Sequence, residues 1–127
     1  MIKTTLSYVT ISYQEPIVYF EYKEGVELGF PEIRQLVAYA EELSGNKPYV
    51  TLSDVRMDIN ITNEGKRYVA DINNMPFFRG TAILVQNDLY KIAINFIQSL
   101  NQTRYPFRAF TDKQKAEEWL SSLPLNP

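Results

Sequence analysis

Five short runs rich in β-branched and aromatic residues alternate with stretches in which apolar residues recur every three or four positions. No other feature restricts the fold so tightly. Strands that alternate with helices imply a mostly parallel sheet with right-handed crossovers. The first two runs, Leu6–Tyr13 and Ile17–Tyr22, are separated only by Gln14-Glu15-Pro16 and predict an antiparallel hairpin. Tyr49–Ser53 is the third. Thr81–Val85 is nearly continuous in apolar residues, as suits a central strand covered on both faces. Phe107–Phe110 is the last.

Four helices fill the gaps. Ile33, Leu36, Val37, Ala40 and Leu43 mark the first, with Pro31 in its opening turn, Gly45 as a left-handed stop and Pro48 barring continuation. Asp54 to Ile61 reads as polar and irregular. Thr62 then caps a helix over 63–73, with Tyr68, Ile72 and Met75 as its stripe and Gly65 weakening its start. Asn87 or Asp88 caps a third, on which Leu89, Ile92, Ala93, Phe96, Ile97 and Leu100 form a broad apolar face. Thr111 and Gln114 make a capping-box pair ahead of Ala116, Trp119, Leu120 and Leu123. The predicted order is β-β-α-β-α-β-α-β-α. It describes one α/β domain over residues 1–127, with its core at about 5–123, a frayed tail at 124–127 and a mixed sheet of about five strands.

Composition removes whole classes of chemistry. The 127 residues include no cysteine and no histidine. Disulfides, thiol nucleophiles and thiolate metal sites are excluded, and so are the commonest general base and transition-metal ligand. A formal net charge of -2 provides no drive toward nucleic acid or anionic lipid. No apolar run has the length to cross a bilayer, and no apolar h-region follows Met1–Leu6, so a cytoplasmic setting is expected. P-loop, G-x-G-x-x-G and G-x-S-x-G motifs are missing. The expectation is a protein that is not an enzyme and has no metal or other cofactor.

Three segments carry a family resemblance: Leu52-Ser53-Asp54-Val55-Arg56, Asn63-Glu64-Gly65-Lys66-Arg67-Tyr68, and Pro106-Phe107-Arg108-Ala109-Phe110-Thr111-Asp112 with Ala116 and Trp119-Leu120. Over residues 5–123 the chain resembles STAS, or anti-sigma-factor-antagonist-like (SpoIIAA-like), domains, most closely an uncharacterised bacterial branch. The resemblance implies a STAS-like sheet and a regulatory role. In such switches a Ser or Thr at the start of the second helix accepts phosphate. The matching residue is Thr62, preceded here by Ile61 where the family carries Asp next to the acceptor, and Ser53 is a poorer match.

Other candidates come from the residues themselves. Asp54, Arg56 and Asp58 follow a strand, where open α/β sheets bind ligands. Asp54 with Asp58 has the chemistry to hold Mg²⁺, and an Asp54–Arg56 pair bracing the loop is the plainer reading. Arg67, Arg79, Arg104 and Arg108 would form an anion site only if the fold gathers them. Met75-Pro76-Phe77-Phe78 either plugs the core or offers a contact patch. Tyr8, Tyr13, Tyr19 and Tyr22 crowd the hairpin, with Tyr8 expected opposite Tyr22. Two functions follow. The first is a non-catalytic regulatory or protein-interaction module, docking a protein partner or itself through the hairpin or the 54–62 loop. The second is a binder of an apolar or anionic small molecule, near Arg56, Arg67, Phe77 and Phe78.

Overall fold

The computed structural model describes residues 2–57, 59–71, 74–101 and 105–125. Strands β1 (Ile2–Thr5), β2 (Val9–Gln14) and β3 (Ile17–Tyr22) form an antiparallel meander. The expected first strand, Leu6–Tyr13, begins only at Val9 because Ser7-Tyr8 forms a turn, closed by the Leu6 N–H donating to the Val9 carbonyl at 2.8 Å, and β1 precedes that turn. That turn places Val9, not Tyr8, opposite Tyr22. β1 is polar, so it leaves no apolar signature. Its neighbour β2 supplies the pairing.

After β3 come β4 (Val26–Leu28), α1 (Phe30–Leu43), β5 (Tyr49–Asp54) and β6 (Ile59–Ile61). Then follow α2 (Asn63–Ala70), β7 (Phe78–Leu84), α3 (Asp88–Asn101), β8 (Phe107–Phe110) and α4 (Lys113–Ser121). The main sheet has six strands in the order β1-β2-β3-β5-β7-β8, parallel from β3 onward. β4 and β6 form a separate two-stranded parallel ribbon. Each ribbon strand is three residues long, too short for periodicity to reveal, and the expected irregular stretch before Thr62 contains β6.

The sheet buries both faces. Val9, Ile11, Val18 and Phe20 pack with Ile33, Leu36 and Ala40 of α1. On the reverse side Ile17, Val50, Leu52, Ala82 and Leu84 pack with Ala116 and Leu120 of α4. α1 starts as its sequence implies: Pro31 lies in the first turn and the Gly29 N–H donates to the Glu32 carboxylate at 2.8 Å. It ends at Ser44 before Gly45, whose φ of +67° is the left-handed turn expected there. α2 is shorter than expected. Ile72 and Asn73, assigned to its stripe and its end, lie outside the described residues. Gly65 belongs in α2 because a Cβ there would stand 3.0 Å from the Leu28 carbonyl oxygen, so glycine lets the helix sit against the β4–β6 ribbon.

Two helix expectations change. α4 is capped by Asp112, which accepts from the Lys115 N–H at 3.2 Å, and Thr111 instead reaches Asp88. A carboxylate caps as well as a hydroxyl, so the neighbouring residue takes the position. α3 is capped by Asn87, as expected, which accepts from the Tyr90 N–H at 3.1 Å. The start of its apolar face, however, turns to solvent: Leu89 is 76% and Ile92 63% exposed, and Ala93 is exposed too. Asn95 faces the sheet. Its side chain accepts from the Ala109 N–H at 2.8 Å and donates to the Ala109 carbonyl at 3.3 Å. β8 is an edge strand whose outer polar groups need partners, and the amide of Asn95 supplies both.

β7 carries a bulge where it crosses from Tyr49–Phe78 to Thr51–Thr81 pairing. Gly80 lies inside it with φ +156°, and a Cβ there would come within 2.8 Å of Leu123 Cδ1 and 3.2 Å of the Pro106 oxygen. Gly80→Ala is therefore expected to destabilise the fold by about 1–3 kcal/mol. Urea unfolding measures this, and an unchanged midpoint would contradict the crowding described.

Candidate functional site

The most apolar concavity lies between the sheet and α1, on the face opposite α4. β3, β5 and β7 contribute Phe20 and Tyr22, Tyr49 and Thr51, and Phe78, Thr81 and Ile83 to its floor. α1 and the β4–β6 ribbon roof it through Leu36, Val37, Ile59 and Ile61. The space is about 190 Å³. Aromatic rings meet along its floor. Phe78 and Tyr105 are edge to face at 4.8 Å and 77°, and Tyr49 lies 6.0 Å from Phe78.

Several polar atoms in this wall are already engaged. Thr51 donates to Thr81 across the β5–β7 ladder at 2.7 Å, and Tyr105 donates to the Val69 carbonyl at 3.3 Å. Burial first, then the charge of Glu41, pushes the pKa of the Tyr49 hydroxyl well up. Burial likewise raises the Glu41 pKa above its ordinary value, against hydrogen bonds from Phe77 and Tyr49 and the charge of Arg79. Tyr22 is raised by burial despite a hydrogen bond from Ser53.

The expected loop site takes a definite form. Asp54 ends β5 and receives a two-pronged guanidinium: Arg56 Nε at 3.0 Å and an Arg56 terminal nitrogen at 2.6 Å. The Arg56 backbone N–H donates to the same carboxylate at 3.1 Å. Burial alone would raise the Asp54 pKa, but these hydrogen bonds, with the charges of Arg56 and Lys113, bring it below its ordinary value. Asp58, its proposed partner for Mg²⁺, lies outside the described residues, and among those described no group of three carboxylates is disposed to hold a metal.

The remaining candidates disperse. Thr62 caps α2, its hydroxyl accepting from the Gly65 N–H at 3.1 Å. Ser53 lies on β5 facing the cavity. Phe78 is buried in the cavity wall, and Phe77 packs half-buried on the same core. Arg67 sits on α2 beside Phe30 and Tyr68, Arg79 donates to the Pro76 and Phe78 carbonyls, and Arg108 lies over the Phe110 ring. Arg104 is outside the described residues. The three described arginines thus have separate neighbours. On the α4 face, Tyr19 donates to Glu117 at 2.5 Å with Lys113 above its ring, so the charges there largely answer one another.

Two features escaped sequence reading. The cavity is built from residues 20 to 107 and has no local signal. The exposed α3 face had only a weak one, because Asn95 adjoins Ile92 on the helix surface, and only the position of β8 shows which side faces inward.

With this geometry in place, the fold can be compared with known proteins. It matches the crystal structure of an uncharacterised Shewanella loihica PV-4 protein of the DUF3478 family, which has a SpoIIAA-like fold. The TM-score is 0.61 at 19% sequence identity, covering 88% of this chain and 91% of that one. The architecture is thus SpoIIAA-like, as the sequence resemblance implied. The chain belongs to the domain-of-unknown-function family DUF7793, whose model matches residues 11–124. Comparison with curated proteins finds no match. No helix among the described residues is long and apolar enough to cross a membrane.

Two outcomes follow. The depressed Asp54 pKa means its stabilising contribution is complete above its ordinary value of 3.8 and is lost as pH falls through the folded value. Arg56→Gln should raise the Asp54 pKa in a carboxyl NMR titration, with at most about 1 kcal/mol lost at neutral pH because Arg56 is half-exposed. An unmoved titration would rule out Arg56 as the cause. Thr62→Ala should cost about 1 kcal/mol of stability through the lost cap, while Thr62→Ser restores most of it. Equal stability of all three proteins would refute the capping role.

Proposed function

We propose that the chain is a non-catalytic interaction module that docks a protein partner through the outer face of α3. The carrying observation is the inverted helix. Leu89 and Ile92 are among the most exposed large apolar residues described, one turn apart on the same helix, with Ala93 beside them. Tyr90, half-exposed, borders them, and Met57, 52% exposed, follows β5, the strand next to β7 that leads into α3. Single exposed apolar residues are ordinary, but a contiguous stripe marks a contact surface. The absence of His and Cys from the chain and the neutralisation of Asp54 by Arg56 support the non-catalytic part of this reading.

The cavity beneath α1 favours a second reading, in which the module binds a small molecule. Its apolar lining and spare volume carry that reading.

Leu89→Glu combined with Ile92→Glu tests the first. Both sites are solvent-facing, so urea stability should stay within about 0.5 kcal/mol of wild type. A partner or self-association detected with wild type by native capture and sedimentation velocity should be lost. If the double variant keeps the same associations, or wild type shows none, the reading fails.

A further inference from the structure

The lining of the cavity is selective. Among the described residues that form it, none carries a charge. The charges of Glu41 and Arg79 act on Tyr49 from outside the lining, and Arg79 donates to the Pro76 and Phe78 carbonyls. Of the hydroxyls within the wall, Thr51 is bound to Thr81 and Tyr105 to the Val69 carbonyl. A ligand with a carboxylate, phosphate or ammonium would lose its hydration here and find no counter-charge in return. Such burial is strongly unfavourable.

Size and shape narrow the choice further. An apolar cavity of about 150 Å³ accommodates benzene, so 190 Å³ suits a ring with a short substituent, roughly eight to ten non-hydrogen atoms. The wall favours a ring. Phe78 and Tyr105 already meet edge to face, and Phe20, Tyr22 and Tyr49 complete an aromatic surround that a further ring can join in the same geometry.

We infer that this cavity is a binding site for a neutral, ring-bearing small molecule and excludes charged amphiphiles such as fatty acids and phospholipids. The inference rests on the small-molecule reading above and decides between the apolar and anionic ligands that the sequence left open.

The test uses isobutylbenzene and phenylacetate, near-isosteres of equal heavy-atom number in which two methyls are replaced by the carboxylate oxygens. Each is titrated into the full chain labelled at Ile, Leu and Val methyls and followed by NMR. Isobutylbenzene should give saturable shifts at Leu36 and Ile83, and phenylacetate should bind at least tenfold more weakly. Equal or tighter binding of phenylacetate overturns the neutral-ligand inference while leaving a small-molecule site. Failure of both compounds to bind overturns the small-molecule reading itself. Ala40→Leu and, separately, Val55→Phe fill the space from two sides. Whichever retains the native amide spectrum should lose the isobutylbenzene shifts, and binding that persists in a folded variant moves the site elsewhere.

Discussion

β5 buries residues on both of its faces, and the rest of the molecule is arranged around that constraint. Tyr49 and Thr51 project toward α1, while Val50 and Leu52 project toward α4, and all four are buried. A strand covered on both sides needs helices on both sides, and parallel neighbours need crossovers to bring them there. β3 and β7 flank it in register, so the chain must pass over one face through α1 and α2 and return over the other through α4. The Thr51–Thr81 hydrogen bond shows how polar groups are accommodated at this depth: two hydroxyls on adjacent strands satisfy each other.

The two halves of the sheet face differently for the same reason. α4 covers β5, β7 and β8, leaving the meander side of that face polar, with Ser12, Tyr19 and Glu21. On the α1 side the coverage is wide but the fit is loose. α2 approaches closely only because Gly65 has no side chain, and the roof is finished by a three-residue ribbon rather than a long element. The α1 face thus retains an apolar void whose described lining carries no charge.

The edges of the sheet are handled by opposite means. β8 is closed by one side chain, Asn95, which completes the backbone pairing of Ala109. β1 is short and carries Lys3, devices that discourage unwanted strand pairing. Closing β8 with an amide has a consequence for α3. With Asn95 held against β8, Leu89 and Ile92 lie on the solvent side of the helix.

Much of this was legible in the residues alone. Pro31 and Gly45 bounded α1, the apolar run at 81–85 marked a central strand, and the missing Cys and His removed most catalytic chemistry, because these depend on local conformational preference or on residue type. The SpoIIAA-like resemblance correctly implied the fold class. Tertiary structure decided the remainder. The partners of β4 and β6 lie about thirty residues apart. The side of α3 that faces solvent depends on an unpaired strand edge, and the cavity exists only where the sheet, α1, α2 and the ribbon fail to meet. Local sequence encodes which element a segment prefers. It does not encode distances between surfaces brought together from opposite ends of the chain, and those distances set both the exposed face of α3 and the void.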